Sequence, residues 1–422
     1  AGLTAREVAR RVLDRVDKGG AWATLSLDGE LTRSGLDDRD RRLVSELVYG
    51  VLRHRARLDR ALAAHAELKR TPPKVVTVLR LAAYQLLFLD RVPGYAAVDD
   101  AVNAARAVGG PKLAGFCNAV LRKLAGAGEP ALPDEPRARI ELEYSLPGWI
   151  ADALDAAAPG RLAELAAAFS QAAPIVARAN ALRTTREAVI DQLQAAGVTA
   201  TPVEAAPMAI RLDGLGDPAR SASFGAGLWT VQDTGAQQVG IAAAPRAGQR
   251  ILDACAGVGG KSTHLAELSG DAAAIDAADQ SSTKLALAAQ TAQRLGIRSI
   301  SRQVCDLLDP SAPLGTAYDL IVLDAPCSGL GVLRRHPDAK WRLKPSDVPR
   351  LAQLQRQLLD AVVGRLAPGG ALLYSVCTFT HAEGPDQIAS LIERTGLRLV
   401  EDHRTWPPDA DAFYLARLER PA

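Results

Sequence analysis

From Arg250 onward the chain alternates short, mostly apolar runs at 251–254, 272–278, 299–304, 320–323 and 371–376 with helix-spaced stretches such as 281–295 and 347–366. Strands separated by helices pair in parallel, and both faces of the sheet are then covered. This part of the chain is therefore expected to fold as a doubly wound α/β sheet. In such sheets ligands bind beyond the carboxyl ends of the strands, so the chemistry belongs in the loops that leave them.

The rest of the chain is built differently. From 4 to about 124, apolar residues recur at helical spacing, as in Val8, Val12, Leu13 and Val16, or Leu43, Leu47, Val48, Val51 and Leu52. The stretch 75–89 is nearly all apolar around Arg80 and reads as the buried central helix of a bundle, bounded by Pro72-Pro73 and Pro93-Gly94. Gly and Pro with few large apolar side chains make 126–137 a linker. Mixed pieces follow: 174–182 and 208–212 read as strands and 186–196 as a helix. The expected organisation is a helical domain at 1–125, a linker at 126–137, a small α+β subdomain at 138–240 and an α/β domain at 241–422.

At 422 residues, 48% hydrophobic and 23% charged, the chain is globular in composition and long enough for two or three domains. No apolar run approaches the roughly 18 residues of a membrane span, and 1–16 sets Arg among Val and Leu at helical spacing, unlike a signal peptide. A cytoplasmic protein without membrane contact is expected. The formal charge of +2 conceals a split: residues 1–125 hold 22 Lys or Arg against 14 Asp or Glu, a net +8, whereas the remainder holds 28 against 34, a net −6. A polyanion meeting the first region and chemistry in the second fit that split.

Five cysteines, at 117, 255, 305, 327 and 377, show no C-x-x-C spacing, and only six histidines accompany them. Neither structural disulfides nor a metal site is expected.

The first α/β strand leads into Asp253-Ala254-Cys255-Ala256-Gly257-Val258-Gly259-Gly260-Lys261-Ser262. Small residues here let a turn approach a ligand at a helix N-terminus. A dinucleotide G-x-G-x-x-G would need Gly where Ser262 stands, and a P-loop would need Gly where Cys255 stands. The next three strands each end in an acid, Asp279, Asp306 and Asp324. An acid after the second strand can hold ribose hydroxyls and one after the third an adenine amine, the layout expected for S-adenosylmethionine. Asp276 competes with Asp279 for the second-strand position, and any single acid could be a helix cap.

Cys327, in Asp324-Ala-Pro-Cys327, and Cys377, in Tyr374-Ser-Val-Cys377, both lie just past strands. If those strands are neighbours, the thiols face one pocket. Methyl transfer to carbon 5 of cytosine gives two thiols and an acid a joint purpose. Thiolate addition at carbon 6 makes the ring a nucleophilic enamine, an acid stabilises the charge, and a second group helps release the product.

The segments 323–341 (LDAPCSGLGVLRRHPDAKW), 374–378 and 253–264 resemble the bacterial ribosomal RNA cytosine-5 methyltransferases of the RsmB family, and the resemblance extends across nearly the whole chain. Segments 47–53, 79–91 and 115–122 resemble the NusB-like helical domain of that family. Segments 144–149, 178–180 and 231–233 resemble its middle, RNA-binding segment. The resemblance implies a Rossmann-like methyltransferase domain in which Cys377 is the nucleophile, Cys327 assists product release and Asp324 holds the base. It further implies that 255–261, Asp279, Asp306 and Asp324 bind S-adenosylmethionine, with Val258 in place of the family's usual Pro.

Arg334, Arg335, His336 and Lys340, with Trp341 among them, form a cationic stretch suited to phosphates and stacking. With Arg178 and Asn180 they are the expected RNA contacts. The partner is expected to be RNA, 16S ribosomal RNA by the resemblance, met by a monomer. A transfer RNA or DNA substrate and a non-catalytic RNA-binding factor are the alternatives. Retention of both thiols weighs against the factor, and the placing of Cys377 weighs against DNA.

Overall fold

The computed structural model describes residues 3–20 and 22–422. They fall into two compact units, Ala1–Gln171 with Leu333–Leu343, and Ala172–Val332 with Lys344–Ala422. No helix among the described residues is long and apolar enough to cross a membrane.

The first unit is helical, with helices at Ala5–Gly19, Ala23–Ser34, Asp38–Arg53, Arg55–Ala63, Pro73–Phe88 and Gly94–Ala127, the last broken by a kink at Gly109-Gly110, then Pro136–Glu143, Gly148–Ala157 and Leu162–Phe169. Thr4 starts the first through a capping box with Glu7, and Asp37 caps the third. Pro73 opens the central helix where no amide donor is needed, and every side chain from Val75 to Gln85 is buried. Its one buried charge, Arg80, is answered by both oxygens of Asp59, at 2.7 and 2.8 Å. The core joins Val8, Val12, Leu47, Val51, Leu58, Leu79 and Leu121. Pro93-Gly94, expected to end the central helix, instead begins the next one.

The stretch expected to be a linker is irregular from Gly128 to Asp134 yet tied down. Arg57 pairs with Glu129, and Arg60 donates to Ala131 O at 2.7 Å. The helices over 136–169, expected with the α+β piece, group with the helical unit. Backbone bonding helps hold them there, since Arg57 N–H donates to Ser145 Oγ at 3.2 Å.

The second unit carries two sheets. β1 (Ile175–Ala179), β2 (Thr199–Pro202), β3 (Ala209–Asp213) and β4 (Trp229–Val231) form an antiparallel sheet in the order β2-β3-β1-β4. β5 (Arg250–Asp253), β6 (Ala274–Asp279), β7 (Ile300–Val304), β8 (Tyr318–Asp324), β9 (Leu366–Val376), β10 (Arg398–Arg404) and β11 (Tyr414–Glu419) form a seven-stranded sheet in the order β10-β11-β9-β8-β5-β6-β7. β5 to β9 pair in parallel, while β10 and β11 run antiparallel. Leu252, Ile321, Leu323 and Leu372 pack one face and Ile251, Leu265, Leu320 and Leu373 the other. Strand order reverses around β5 and β8, the switch point where ligand loops converge.

Candidate active site

The ends of the five parallel strands β5 to β9 build the site. β5 runs into a turn in which Gly257 (φ +56°) and Gly259 (φ +84°) are left-handed. At Gly259 a Cβ would also stand 2.6 Å from the Ala288 Cβ, so close packing against the helix Ser282–Leu295 demands glycine there. Ala256 N–H donates to Ala278 O and Gly257 N–H to Asp279 Oδ2, each at 2.9 Å, so the turn is fastened to the end of β6. Asp253, fully buried, accepts from Ser262 Oγ at 2.5 Å. Burial pushes its carboxyl up to about 6 against the pull of Ser262.

A cavity of about 210 Å³ opens beside this turn, lined by Cys255, Asp279, Lys284, Asp306, Leu354 and Leu358 among others. Asp279 and Asp306 thus face one space, with apolar side chains opposite. The competitor Asp276 is engaged elsewhere, accepting from the Tyr318 hydroxyl at 2.6 Å. A purine riboside with a cationic side chain suits this lining. Acids can meet hydroxyls and an amine, leucines can cover an aromatic face, and the left-handed turn lets backbone come close. Cys255 and Cys305 also line the cavity, both pushed up by burial and so held as thiols.

Lys261 does not stay with the turn. Its ammonium crosses to Asp324 Oδ2 at 2.6 Å, while Ser375 Oγ donates to Asp324 Oδ1 at 2.9 Å. Burial pulls Lys261 down, but Asp324 more than reverses this, so it is held charged.

β8 and β9 are neighbours with Asp324 opposite Ser375, which sets their outgoing loops side by side. Cys327 and Cys377 consequently lie 3.4 Å apart, sulfur to sulfur. Contact with the Cys377 sulfur, then burial, raises Cys327 well above the usual thiol range. Gly331 is pinched in the same region: its N–H donates to Cys377 O at 2.9 Å, and a Cβ would come within 1.9 Å of Ala412 O. Glu383, Ser375 and Gln355 also belong to the site and were not expected. Ser375 donates to Asp324, Gln355 to Pro326 O and Glu383, and Glu383 also holds Ser328, ties across 28 to 55 residues that no local spacing marks.

Four of the expected RNA contacts, Arg178, Asn180, Arg334 and Lys340, are buried and require correction. Arg178 is fully buried and donates to both oxygens of Glu267 (2.8 and 2.9 Å), to Thr263 Oγ1 and to Gly260 O (both 3.1 Å). It clamps the helix Gly260–Leu268 that follows the glycine turn. Asn180, also fully buried, donates to Gly227 O and Leu295 O at 2.9 and 3.0 Å. Lys340, 6% exposed, gives its ammonium to Arg53 O at 2.8 Å, and Arg334, 3% exposed, accepts from Arg53 through its carbonyl at 3.3 Å. Arg335 and His336 are half-buried, and His336 Nδ1 lies 3.3 Å from Thr24 Oγ1.

A seven-stranded Rossmann-like sheet with a glycine turn, acids at successive strand ends and a thiol pair defines a methyltransferase. Its C-terminal part matches the model described as 16S rRNA methyltransferase RsmB/F over residues 240–419. Residues 3–126 match the NusB family, and 146–217 the ferredoxin-like domain of RsmF/B-like methyltransferases. The chain belongs to the ribosomal RNA small subunit methyltransferase B family. It is 35% identical to the probable ribosomal RNA small subunit methyltransferase B of Synechocystis, with 96% of this chain and 90% of that one covered. It is 36% identical to the ribosomal RNA small subunit methyltransferase B of Salmonella newport, with 90% and 91% covered. The crystal structure of PH0851 shares the fold across all of both chains, with a TM-score of 0.84 at 22% identity.

Proposed function

We propose that this protein transfers the methyl group of S-adenosylmethionine to carbon 5 of a cytosine in 16S ribosomal RNA, with Cys377 as nucleophile. The observation that carries this is the thiol pair at 3.4 Å, set beside Asp324 at the end of the neighbouring strand. The turn 255–260, Asp279 and Asp306 would hold S-adenosylmethionine, which supplies an electrophilic methyl group when bound.

Cys377 adds to carbon 6 of the ring and makes carbon 5 nucleophilic. Cys327, 3.4 Å away, is close enough to donate to the attacking sulfur. Asp324 binds the edge of the base at ring nitrogen 3 and the exocyclic amine. The Lys261 ammonium, 2.6 Å from Asp324 Oδ2, supplies the proton that Asp324 passes to ring nitrogen 3 as addition puts charge there. After methylation carbon 5 gives its proton to water, ring nitrogen 3 returns its proton through Asp324, and Cys377 leaves carbon 6 as the thiolate, with Cys327 donating to the departing sulfur. Since carbon 6 is inaccessible in a stacked helix, the cytosine must be single-stranded or flipped out.

Incubation with 5-fluorocytidine-substituted 16S RNA and S-adenosylmethionine tests this directly, because fluorine at carbon 5 blocks proton loss. A covalent protein–RNA band on denaturing gels is expected, and bisulfite mapping locates the cytosine. A catalytically inert RNA-binding factor would bind the RNA and give no band, and a band with transfer RNA alone would move the substrate.

A further inference from the structure

Glu383 takes no part in the chemistry above, yet its carboxylate is fully buried and reaches both thiol-bearing loops. Oε1 accepts from Ser328 N–H at 2.7 Å and from Gln355 Nε2 at 3.1 Å. Oε2 accepts from Ser328 Oγ and Thr380 Oγ1, each at 2.7 Å, and from Thr378 Oγ1 at 3.2 Å. Ser328 follows Cys327 and Thr378 follows Cys377, so one carboxylate holds the residue after each thiol. Gln355 adds a third tie, since its amide also donates to Pro326 O at 2.9 Å, and Tyr374 OH donates to the Glu383 carbonyl at 2.6 Å.

Burying a carboxyl group in such a place is costly unless its oxygens are hydrogen-bonded, and here donors from three separate segments meet them. A hydrophobic residue could fill the same volume, but it could not fix two loops in register. Building on the assignment of Cys377 as nucleophile, we propose that Glu383 is a positioning residue. It locks the 326–329 and 377–380 loops together so that both sulfurs face the same ring, without itself touching substrate or cofactor.

The test uses the full chain and three readouts: methyl transfer to RNA, the rate of adduct formation on 5-fluorocytidine RNA, and dissociation constants for S-adenosylmethionine and RNA. Glu383→Ala is expected to slow adduct formation and kcat about 10- to 100-fold, the scale of a misplacement near 1 Å, while both dissociation constants stay within about threefold. Glu383→Gln is expected to recover most of the rate. Its amide oxygen can meet Ser328 N–H while its NH2 meets hydroxyls that turn to accept. Should Glu383→Ala not fold, Ser328→Ala and Thr378→Val remove the same ties from the donor side and should each lower kcat at unchanged affinity. Wild-type rates in Glu383→Ala, or a loss of rate matched by equal loss of both affinities, would overturn the positioning role. Absence of any adduct with the wild type would instead overturn the assignment of Cys377.

Discussion

Residues 324–329 and 334–342 are close in sequence and rich in chemically able side chains, yet the fold uses them in opposite ways. In the first, Asp324 and Cys327 stand at a strand end with functional atoms turned towards Lys261, Ser375 and Cys377, all non-local in sequence. In the second, the polar groups serve the helical unit. The helix Asp38–Arg53 ends with orphan carbonyls, and Trp341 Nε1 donates to Leu52 O at 2.7 Å while Lys340 donates to Arg53 O. Asp338 accepts from Ala23 N–H at 3.2 Å at the start of another helix. Cations beside an aromatic suit a phosphate chain and a helix C-terminus equally well, because both present oxygen and negative charge. Residue type therefore leaves the two roles open, and topology decides.

The largest effect that could break this contrast falls on the thiols. Cys377→Ala should abolish methyl transfer and covalent adduct together, whereas Cys327→Ala should still attack and methylate but stall as protein bound to RNA. Denaturing gels separate the two. Adduct accumulating in Cys377→Ala with none in Cys327→Ala would assign the nucleophile to the β8 loop.

Next in size is Arg178. As a buried partner of Glu267 it should cost about 3–5 kcal/mol of stability in the second unit when replaced by Ala, measured by denaturant unfolding. The salt dependence of RNA binding should keep its slope, since no phosphate contact is lost. A shallower slope at unchanged stability would return Arg178 to the RNA surface.

Much of this was legible in the sequence. Runs such as 320–323 and 371–376 are nearly all buried, so their apolar character marks them as central strands, and the switch point follows from parallel pairing. β10 was missed because its side chains are largely exposed, and β2 and β4 because three or four residues carry too little pattern. In the site, Asp324, Cys327 and Cys377 stood out because strand ends are readable. The crossing of Lys261 to Asp324 was not, because it joins separate segments, nor was Glu383, whose nearby threonines mark nothing until Ser328 and Gln355 are brought to it from elsewhere in the fold. Arg178 was misread for the same reason: its partner Glu267 is 89 residues away.

A smaller effect sharpens the cofactor side. Asp279→Ala should weaken S-adenosylmethionine binding by about 1–3 kcal/mol in calorimetry, through lost contact and a loosened Gly257. Asp276→Ala should leave affinity unchanged and instead lower stability through Tyr318, whose hydroxyl lies 2.6 Å from it. The reverse result would place the ligand on the other acid.

The smallest effect concerns the second stretch of the opening contrast. Burial, with Arg53 nearby, lowers Lys340 to about 7, well below an unfolded lysine. Between about pH 7 and 10.5 the unfolded chain then binds more protons at this position than the folded one, so stability rises with pH there, by about 1.4 kcal/mol per unit at most. Below pH 7 both states are protonated, and the cost of burying the charge is felt in full without further change. Lys340→Met removes the titration, so the variant's stability relative to wild type should be greatest near pH 6 and should fall as pH is raised to 9. Paired denaturant melts at the two values measure this. An RNA-facing, solvated Lys340 would give a difference that does not change with pH, and the variant would then lose RNA affinity at every pH in that range.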